Sequence, residues 1–417
     1  MPHTSDRTDA EIASETWSIE TISAIAEVKT GPFGSNLHER DYVESGTPIV
    51  TVEHLSERGI LHRNLPLVSD SDRLRLKRYS LRAGDIVFSR VGAVDRNALV
   101  RKAEEGWLFS GRLLRVRVYS KSILPAYLSY YLHSEHFRRR IREVAVGQTM
   151  ASLNTRILEE LQVAFPPLPE QHEVAETLSD IDGLLQALEA LIVKKRAVKQ
   201  AAMQQLLTGN TRLPGFGGTW DPVVLGNVAA IRDHKVLPST VPPATPCVEL
   251  DHIGQTAGRL IGRSTARQSI SLKYVFLAGD VLFGRLRPYL RKYWRADCDG
   301  ICTTEIWPLR PDSERLDGRF LYVIVQSDRF VDLASVSYGT HMPRADWSVL
   351  RNLEIRLPGI CEQRAIAGVL SEMDAEIAAL ERRLDKTRAI KQGMMQQLLT
   401  GRVRLVKPEQ ADATAAP

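Results

Sequence analysis

Cysteine is scarce. Four occur in 417 residues, Cys247, Cys298, Cys302 and Cys361, with no C-x-x-C pair, so neither a disulfide framework nor a zinc module is indicated and the thiols are expected to be reduced. No apolar run approaches the length of a membrane span, and the opening residues MPHTSDRTDAEIASE lack a signal-peptide pattern; a cytoplasmic protein without membrane attachment is expected. Neither G-x-x-x-x-G-K-[ST] nor a strand-bound G-x-G-x-x-G is present, which argues against nucleotide hydrolysis and cofactor binding by this chain. The Asn-Pro-Pro-aromatic tetrad of an adenine N6-methyltransferase is missing as well. His133 and His136 flank Glu135 at a spacing unsuited to a shared metal, and Asp312 and Glu314 lack the lysine that a nuclease carboxylate cluster requires. No catalytic residue and no metal ligand is expected.

A soluble globular composition is present, 43% hydrophobic and 25% charged, with a net charge of +5 that leans mildly towards a polyanionic partner. A long repeat organises the chain. Residues 170–209 return as 362–401 without a gap, and roughly half the positions are identical, which chance does not give over such a length. Each copy reads as a helix. Apolar steps of three and four join Leu178, Ile181, Leu185, Leu188 and Ile192 in the first copy and Leu370, Met373, Ile377, Leu380 and Leu384 in the second, a coiled-coil seam. The seam then shifts to Val198, Ala202 and Leu206 and to Ile390, Met394 and Leu398. Gly209 and Gly401 are the expected stops. Two equal halves burying the same seam do so most simply as an antiparallel pair, with the globular parts at opposite ends.

The organisation that follows is a disordered segment at 1–16, a first domain at 17–165, a helical spacer at 166–209, a linker at 210–219, a second domain at 220–357, a second spacer at 358–401 and a tail at 402–417. The fold class is α+β: two pseudo-symmetric mixed α/β domains separated by two long helices that pair as an antiparallel coiled coil. In the first domain, strands are expected near 48–52, 85–88 and 113–118 and one helix over 125–142. The domains share landmarks in the same order. TPIVTVEHL at 47–55 answers TPCVELDHI at 245–253, and AGDIVFSR at 83–90 answers AGDVLFGR at 278–285. AYLSYYLHSEHF at 126–137 answers RFLYVIVQSDRF at 319–330, and GQTMASLN at 147–154 answers GTHMPRAD at 339–346. Between these points the domains diverge far more than the rods do.

Basic residues cluster in the divergent domains: Arg73, Arg75, Lys77 and Arg78; Arg112, Arg115 and Arg117; Arg138, Arg139, Arg140 and Arg142; and Arg285, Arg287, Arg291, Lys292 and Arg295. The planar fork of arginine suits both a guanine edge and a phosphate. Arg90 and Arg285 stand out because each follows the same A-G-D strand. The TGPFGSN loop, with Gly31, Phe33, Gly34, Ser35 and Asn36, can bring backbone amides close to phosphate. Further candidate DNA contacts are the recurring His54 and His252, Arg287, and Thr149, His341 and Arg344 in the last landmark. The acidic neighbours Glu53 and Asp251 also recur, so that pair has a catalytic and a structural reading as well.

The tandem plan of variable domain and rod, PPLPEQ at 166–171, and KQAAMQQLLTG at 199–209 with KQGMMQQLLTG at 391–401 resemble the specificity (S) subunit of type I restriction-modification systems. The GPFGS loop and the A-G-D strands fit as well, and only PGICEQ at 358–363 departs. The resemblance implies target recognition domains that each read one half of a split, asymmetric double-stranded DNA sequence, spaced by the coiled coil. It implies two modification (M) methyltransferase subunits carrying S-adenosylmethionine and restriction (R) subunits supplying an ATP-driven, Mg-dependent translocase and nuclease, with no cofactor in this chain. A stand-alone nuclease and a coiled-coil adaptor without DNA readout are the competing readings.

Overall fold

A computed structural model of the chain describes residues 16–32, 37, 41–145, 152–256, 258–336 and 342–405. Two helices dominate it, a first rod at Leu168–Thr208 and a second at Ile360–Leu398. At 1.5 Å per residue their 41 and 39 residues make rods of about 60 Å. Both end as expected, at Gly209 with φ 71 and Gly401 with φ 69, left-handed conformations that glycine adopts without strain. Trp220 lies against Gly209 and Trp17 against Gly401, so a β-carbon at either place would also be crowded. The chain divides into two compact units: Met1–Glu189 with Arg383–Pro417, and Ala190–Arg382. Each unit therefore holds one globular head and one end of each rod.

In the first unit the head contains a four-stranded antiparallel sheet, Ala26–Thr30, Leu113–Val118, Ile86–Ser89 and Asn97–Leu99 in spatial order. A second sheet orders Leu108–Phe109, Thr47–Val50, Leu67–Val68 and Tyr42–Val43, and Ser18–Thr21 pairs with Gln162–Phe165. The expected single helix is two, Pro125–Leu132 and Glu135–Val144. Ser134 is extended (φ −63, ψ 145) and its hydroxyl accepts the Phe137 N–H, so it starts a new helix. Ile86, Phe88, Leu114, Tyr127, Leu128 and Phe137 form the core with Val174 and Leu178 of the first rod and Leu398 of the second. Each such side chain contributes about 1.5–3 kcal/mol by burial, which fixes the head to both rods.

The second unit repeats the plan. Its four-stranded sheet runs Ala229–Ile231, Ile306–Pro311, Val281–Gly284 and Tyr293–Arg295, and Asp221–Val224 pairs with Glu354–Leu357. The other sheet differs in having five strands, Lys235–Val236, Lys273–Phe276, Gly300–Thr303, Pro246–Val248 and Ser264–Thr265. Ser327 breaks the helices Gly318–Gln326 and Asp328–Ser335 as Ser134 does. The core joins Phe276, Phe283, Trp307, Phe320 and Phe330 to Met203 and Leu206 of the first rod and Ile366 and Leu370 of the second.

Within each unit the rod ends run antiparallel, and their polar contacts are reciprocal. In the first unit Asp182 meets Lys391 at 2.7 Å, Glu189 meets Arg388 at 2.8 Å, and Glu170 holds Arg404 through both oxygens. In the second, Asp374 meets Lys199 at 2.6 Å, Glu381 meets Arg196 at 2.6 Å, and Glu362 holds Arg212 through both oxygens. Leu178, Leu185, Leu188, Ile192, Leu370, Ile377 and Leu384 of the seam are buried, and Ile181, Met373 and Leu380 are half-buried. Of the expected continuation of the seam, Leu206 and Leu398 are buried and Ala202 and Met394 half-buried, but Val198 and Ile390 face outward at 48% and 46% exposed. The lysine beside each, Lys199 and Lys391, takes the inward place through its ion pair.

The rods also grip the heads by one device used twice. Gln171 and Gln363 are fully buried. Gln171 Oε1 accepts the Leu124 N–H at 2.8 Å, while Nε2 donates to Ser122 O and Pro166 O at 2.8 and 2.7 Å. Gln363 Oε1 accepts the Asp317 N–H at 2.8 Å, while Nε2 donates to Arg315 O and Pro358 O at 2.9 and 2.8 Å. Three backbone groups that would otherwise be buried unpaired are satisfied by one amide.

Candidate nucleic-acid interface

Each A-G-D strand ends in an arginine held in the same backbone frame. The Arg90 amide donates to Arg112 O at 2.9 Å and its carbonyl accepts the Leu153 N–H at 2.8 Å; the Arg285 amide donates to Glu305 O at 2.9 Å and its carbonyl accepts the Ala345 N–H at 2.8 Å. Leu153 and Ala345 sit at matching places in the last landmark. The residues after them, Asn154 and Asp346, cap the next short helices by accepting the Ile157 and Ser348 amides at 2.8 Å. Both arginines are thus fixed by backbone pairing at a strand end, where a short turn brings two further loops alongside.

The side chains on this shared frame differ. The Arg285 guanidinium lies over the Trp307 ring at 5.2 Å. Arg344 pairs with Glu305 at 3.0 Å, and this carboxylate raises its pKa further. The Ser348 hydrogen bonds, with the charge of Arg285 nearby, hold the Asp346 carboxyl below the usual range. Arg287 is exposed, and its φ of 51 lies in the left-handed region. In the first head the matching place is Gly92, with φ 75. Gly31 packs so tightly that a β-carbon would stand 2.1 Å from Ser110 O, and its amide donates to Leu113 O at 3.1 Å. Gly31 is therefore held against Leu113, next to Arg112, whose carbonyl accepts the Arg90 amide. Phe33, Gly34, Ser35, Asn36, Thr149 and His341 lie outside the described residues.

His54 and His252 close turns. His54 is 1% exposed, and its Nδ1 accepts the Thr51 N–H at 3.1 Å; His252 Nδ1 accepts the Glu249 N–H at 3.0 Å. A capping role explains why the histidine recurs in both heads. It also leaves His54 almost no surface to present to a ligand. Among the described residues no group of three or more His, Cys, Asp or Glu side chains is placed to hold a metal.

Several clustered arginines are engaged within the heads, the buried ones structurally and the exposed ones in surface ion pairs. Arg115 is 2% exposed and donates to Glu27 at 2.6 Å, and burial lowers its pKa. Arg117 grips the buried Asp85 by donating from Nε and Nη2, at 2.7 and 2.6 Å. Arg138 pairs with Glu57, and Arg142 with Asp95 and Glu135. Arg291 is held by Asp328 and Gln326 O, and Lys292 Nζ donates to Leu250 O. Alternation along Leu113–Val118 does not reveal which face carries a carboxylate partner, so these positive charges could not be sorted from surface ones in the sequence. The buried glutamines and the Glu170 and Glu362 locks were also missed as functional residues. Their signal was available, because both recur at matching positions at the start of the repeat.

Comparison with known proteins accords with this geometry. The model of the type I restriction modification DNA specificity domain matches residues 14–195 and 273–388. A putative type I restriction enzyme MjaX specificity subunit of Methanocaldococcus jannaschii is 24% identical over 432 residues, covering 94% of each chain. The MjaVIII specificity subunit of the same organism is 24% identical over 322 residues, 72% of this chain and 75% of its own length. The EcoDI specificity subunit of Escherichia coli is 23% identical over 295 residues, 63% and 66% of the two chains. Among solved structures, the S subunit of a type I restriction-modification system from M. genitalium aligns with a TM-score of 0.58 at 16% identity, covering 92% of this chain and 96% of its own. A structure from work on complex assembly and conformational transition of the type I system aligns with a TM-score of 0.54 at 16% identity, covering 94% and 99%. At such identities the structural likeness is one of fold. With the family model spanning well over half of the chain, this protein belongs to the type I restriction-modification DNA specificity family.

Proposed function

We propose that the chain is the address-reading subunit of a type I restriction-modification complex, each head reading one half of a split, asymmetric duplex sequence. The observation that carries this reading is the shared frame at Arg90 and Arg285 with different side chains on it. One construction used twice with altered contacts suits two readers of unlike half-sites. The paired rods act as the spacer. Half-sites about one helical turn apart are separated by roughly 34 Å, a distance that a rod of about 60 Å can set. Arginine and lysine contacts to phosphate give affinity that falls steeply with salt, and base contacts add the sequence preference.

Two modification subunits and the restriction subunits are the proposed partners, with the rods and the faces of the heads as docking surfaces. The chain itself supplies no catalysis in this reading. S-adenosylmethionine belongs to the modification subunits, and ATP and Mg to the restriction subunits. A cytoplasmic location follows from that work, and among the described residues no helix is long and apolar enough to cross a membrane. The test is to co-express the chain with its modification partner in a host free of adenine methylation and to map N6-methyladenine by long-read sequencing. Two short defined blocks separated by a fixed run of unspecified bases are expected. Absence of methylation from a soluble complex whose partner binds S-adenosylmethionine would sink the reading and favour an adaptor without DNA readout.

A further inference from the structure

The hairpin after each A-G-D strand is built differently in the two heads. In the first, Ile86–Ser89 and Asn97–Leu99 are joined by a tip in which Gly92 takes the left-handed conformation and Ala93 follows. In the second, Val281–Gly284 and Tyr293–Arg295 are joined by a tip in which Arg287 holds that conformation. Away from glycine such backbone is disfavoured, and it persists where the surroundings over-determine it, which happens mostly at functional sites.

Here the backbone is held by contacts on both sides. The Arg287 amide donates to Pro343 O at 2.8 Å, and Leu286 bridges to Arg344. Pro288 is buried and begins the 3-10 turn Pro288–Leu290. The turn ends at Arg291, also left-handed with φ 52, which Asp328 and Gln326 O clamp. The loop so held leaves Arg287 exposed and Tyr289 54% exposed. Neighbouring charges are engaged, Arg344 by Glu305, Arg291 by Asp328 and Lys292 by Leu250 O. Among the described residues no acceptor meets the Arg287 guanidinium.

We propose that this tip is the base-reading element of the second head: Arg287 engages the O6 and N7 edge of a guanine in the major groove, and Tyr289 packs on the adjoining nucleotide. The inference rests on the DNA-reading function proposed above and deepens it. A phosphate contact needs only a positive charge within reach and does not require a strained, braced backbone. Guanine readout needs the arginine fork held in a fixed orientation. The exchange of arginine for glycine on a common frame is also what a position that sets sequence, rather than affinity, requires. The first head has no such reader at Gly92.

The test compares N6-methyladenine maps from the complex of this chain with its methyltransferase partner, for wild type, Arg287→Gly, Arg287→Lys and Tyr289→Ala. Arg287→Gly installs the residue that the first head uses in this conformation, so its melting temperature is expected to hold or rise. Arg287→Gly and Arg287→Lys are each expected to make one specified base of one half-site degenerate, its preference falling about 5- to 150-fold, with the other half-site unchanged. Tyr289→Ala is expected to weaken the same half-site. An unchanged split motif in the Arg287 variants would overturn the inference and leave the DNA-reading function standing. Weakening at all sites with full rescue by lysine would overturn it in favour of a phosphate contact. Reduced binding of the methyltransferase with an intact motif would make the tip a protein contact instead. No split motif from the wild type would defeat the DNA-reading function as well.

Discussion

Asp85 and Asp280 occupy one place in two heads, yet their cations come from different strands. Arg117 reaches Asp85 from the middle of its sheet, whereas Arg232 reaches Asp280 from the end of an edge strand, at 2.7 and 3.0 Å. The buried carboxylate is the fixed requirement, and any strand able to deliver a guanidinium meets it. His133 and Gln326 are a second such pair. His133 Nδ1 faces Ser129 O at 2.8 Å, as Gln326 Nε2 donates to Tyr322 O at 3.1 Å. Burial, aided by the charge of Arg138, pushes His133 from 6.5 down to about 4. The unfolded imidazole binds its proton near 6.5 and the folded one resists to about 4, so stability present above that window is lost as pH falls through it. The loss is on the order of 3 kcal/mol. His133→Gln, borrowing the second head's residue, is expected to flatten this acid limb; urea midpoints at pH 7.5 and 5 would test it, and an unchanged difference between them would refute it. The A-G-D landmark made the aspartates visible in the sequence. Their partners are not visible there, because an ion pair between strands leaves no periodicity, and Arg115 and Arg117 therefore read in the sequence as part of a DNA-facing basic cluster.

At the scale of the elements, the rods were the most legible part, since a repeat of about 40 residues announces both the helices and their equivalence. The heptad rule failed only where Val198 and Ile390 gave way to Lys199 and Lys391, because an ion pair satisfied by a facing aspartate competes with an apolar contact for the inward place. The strands at Thr47–Val50, Ile86–Ser89 and Leu113–Val118 lie within one or two residues of those expected. The helix break did not show, because apolar spacing runs on through Ser134 while the serine starts a new helix. Gln171 and Gln363 give a test of the shared socket. Gln171→Ala leaves one amide and two carbonyls without partners in a buried place, and a loss of about 3 kcal/mol is expected. Gln363→Ala breaks the same three bonds in the other unit and is expected to cost as much. Matched thermal or urea unfolding would show this, and a difference of several-fold between the two would mean that the sockets are not equivalent.

For the whole molecule, one plan is used twice in a single chain: each unit pairs the start of one rod with the end of the other. Under the proposed reading the rods set the run of unspecified bases. A heptad added to each rod at matching positions lengthens it by about 10 Å, equivalent to about three base pairs at roughly 3.4 Å each. The methylated motif is expected to keep both defined blocks and widen its gap by about three; a gap of unchanged length would count against the spacer. The glutamine sockets and the glutamate locks carry a separate consequence, because the same contacts receive either head. A genetic crossover within the repeated rod sequences, where roughly half the positions match, would hand a whole head to a new chain with its socket already matched. New combinations can then be inherited in a single step, without a passage through misfolded intermediates.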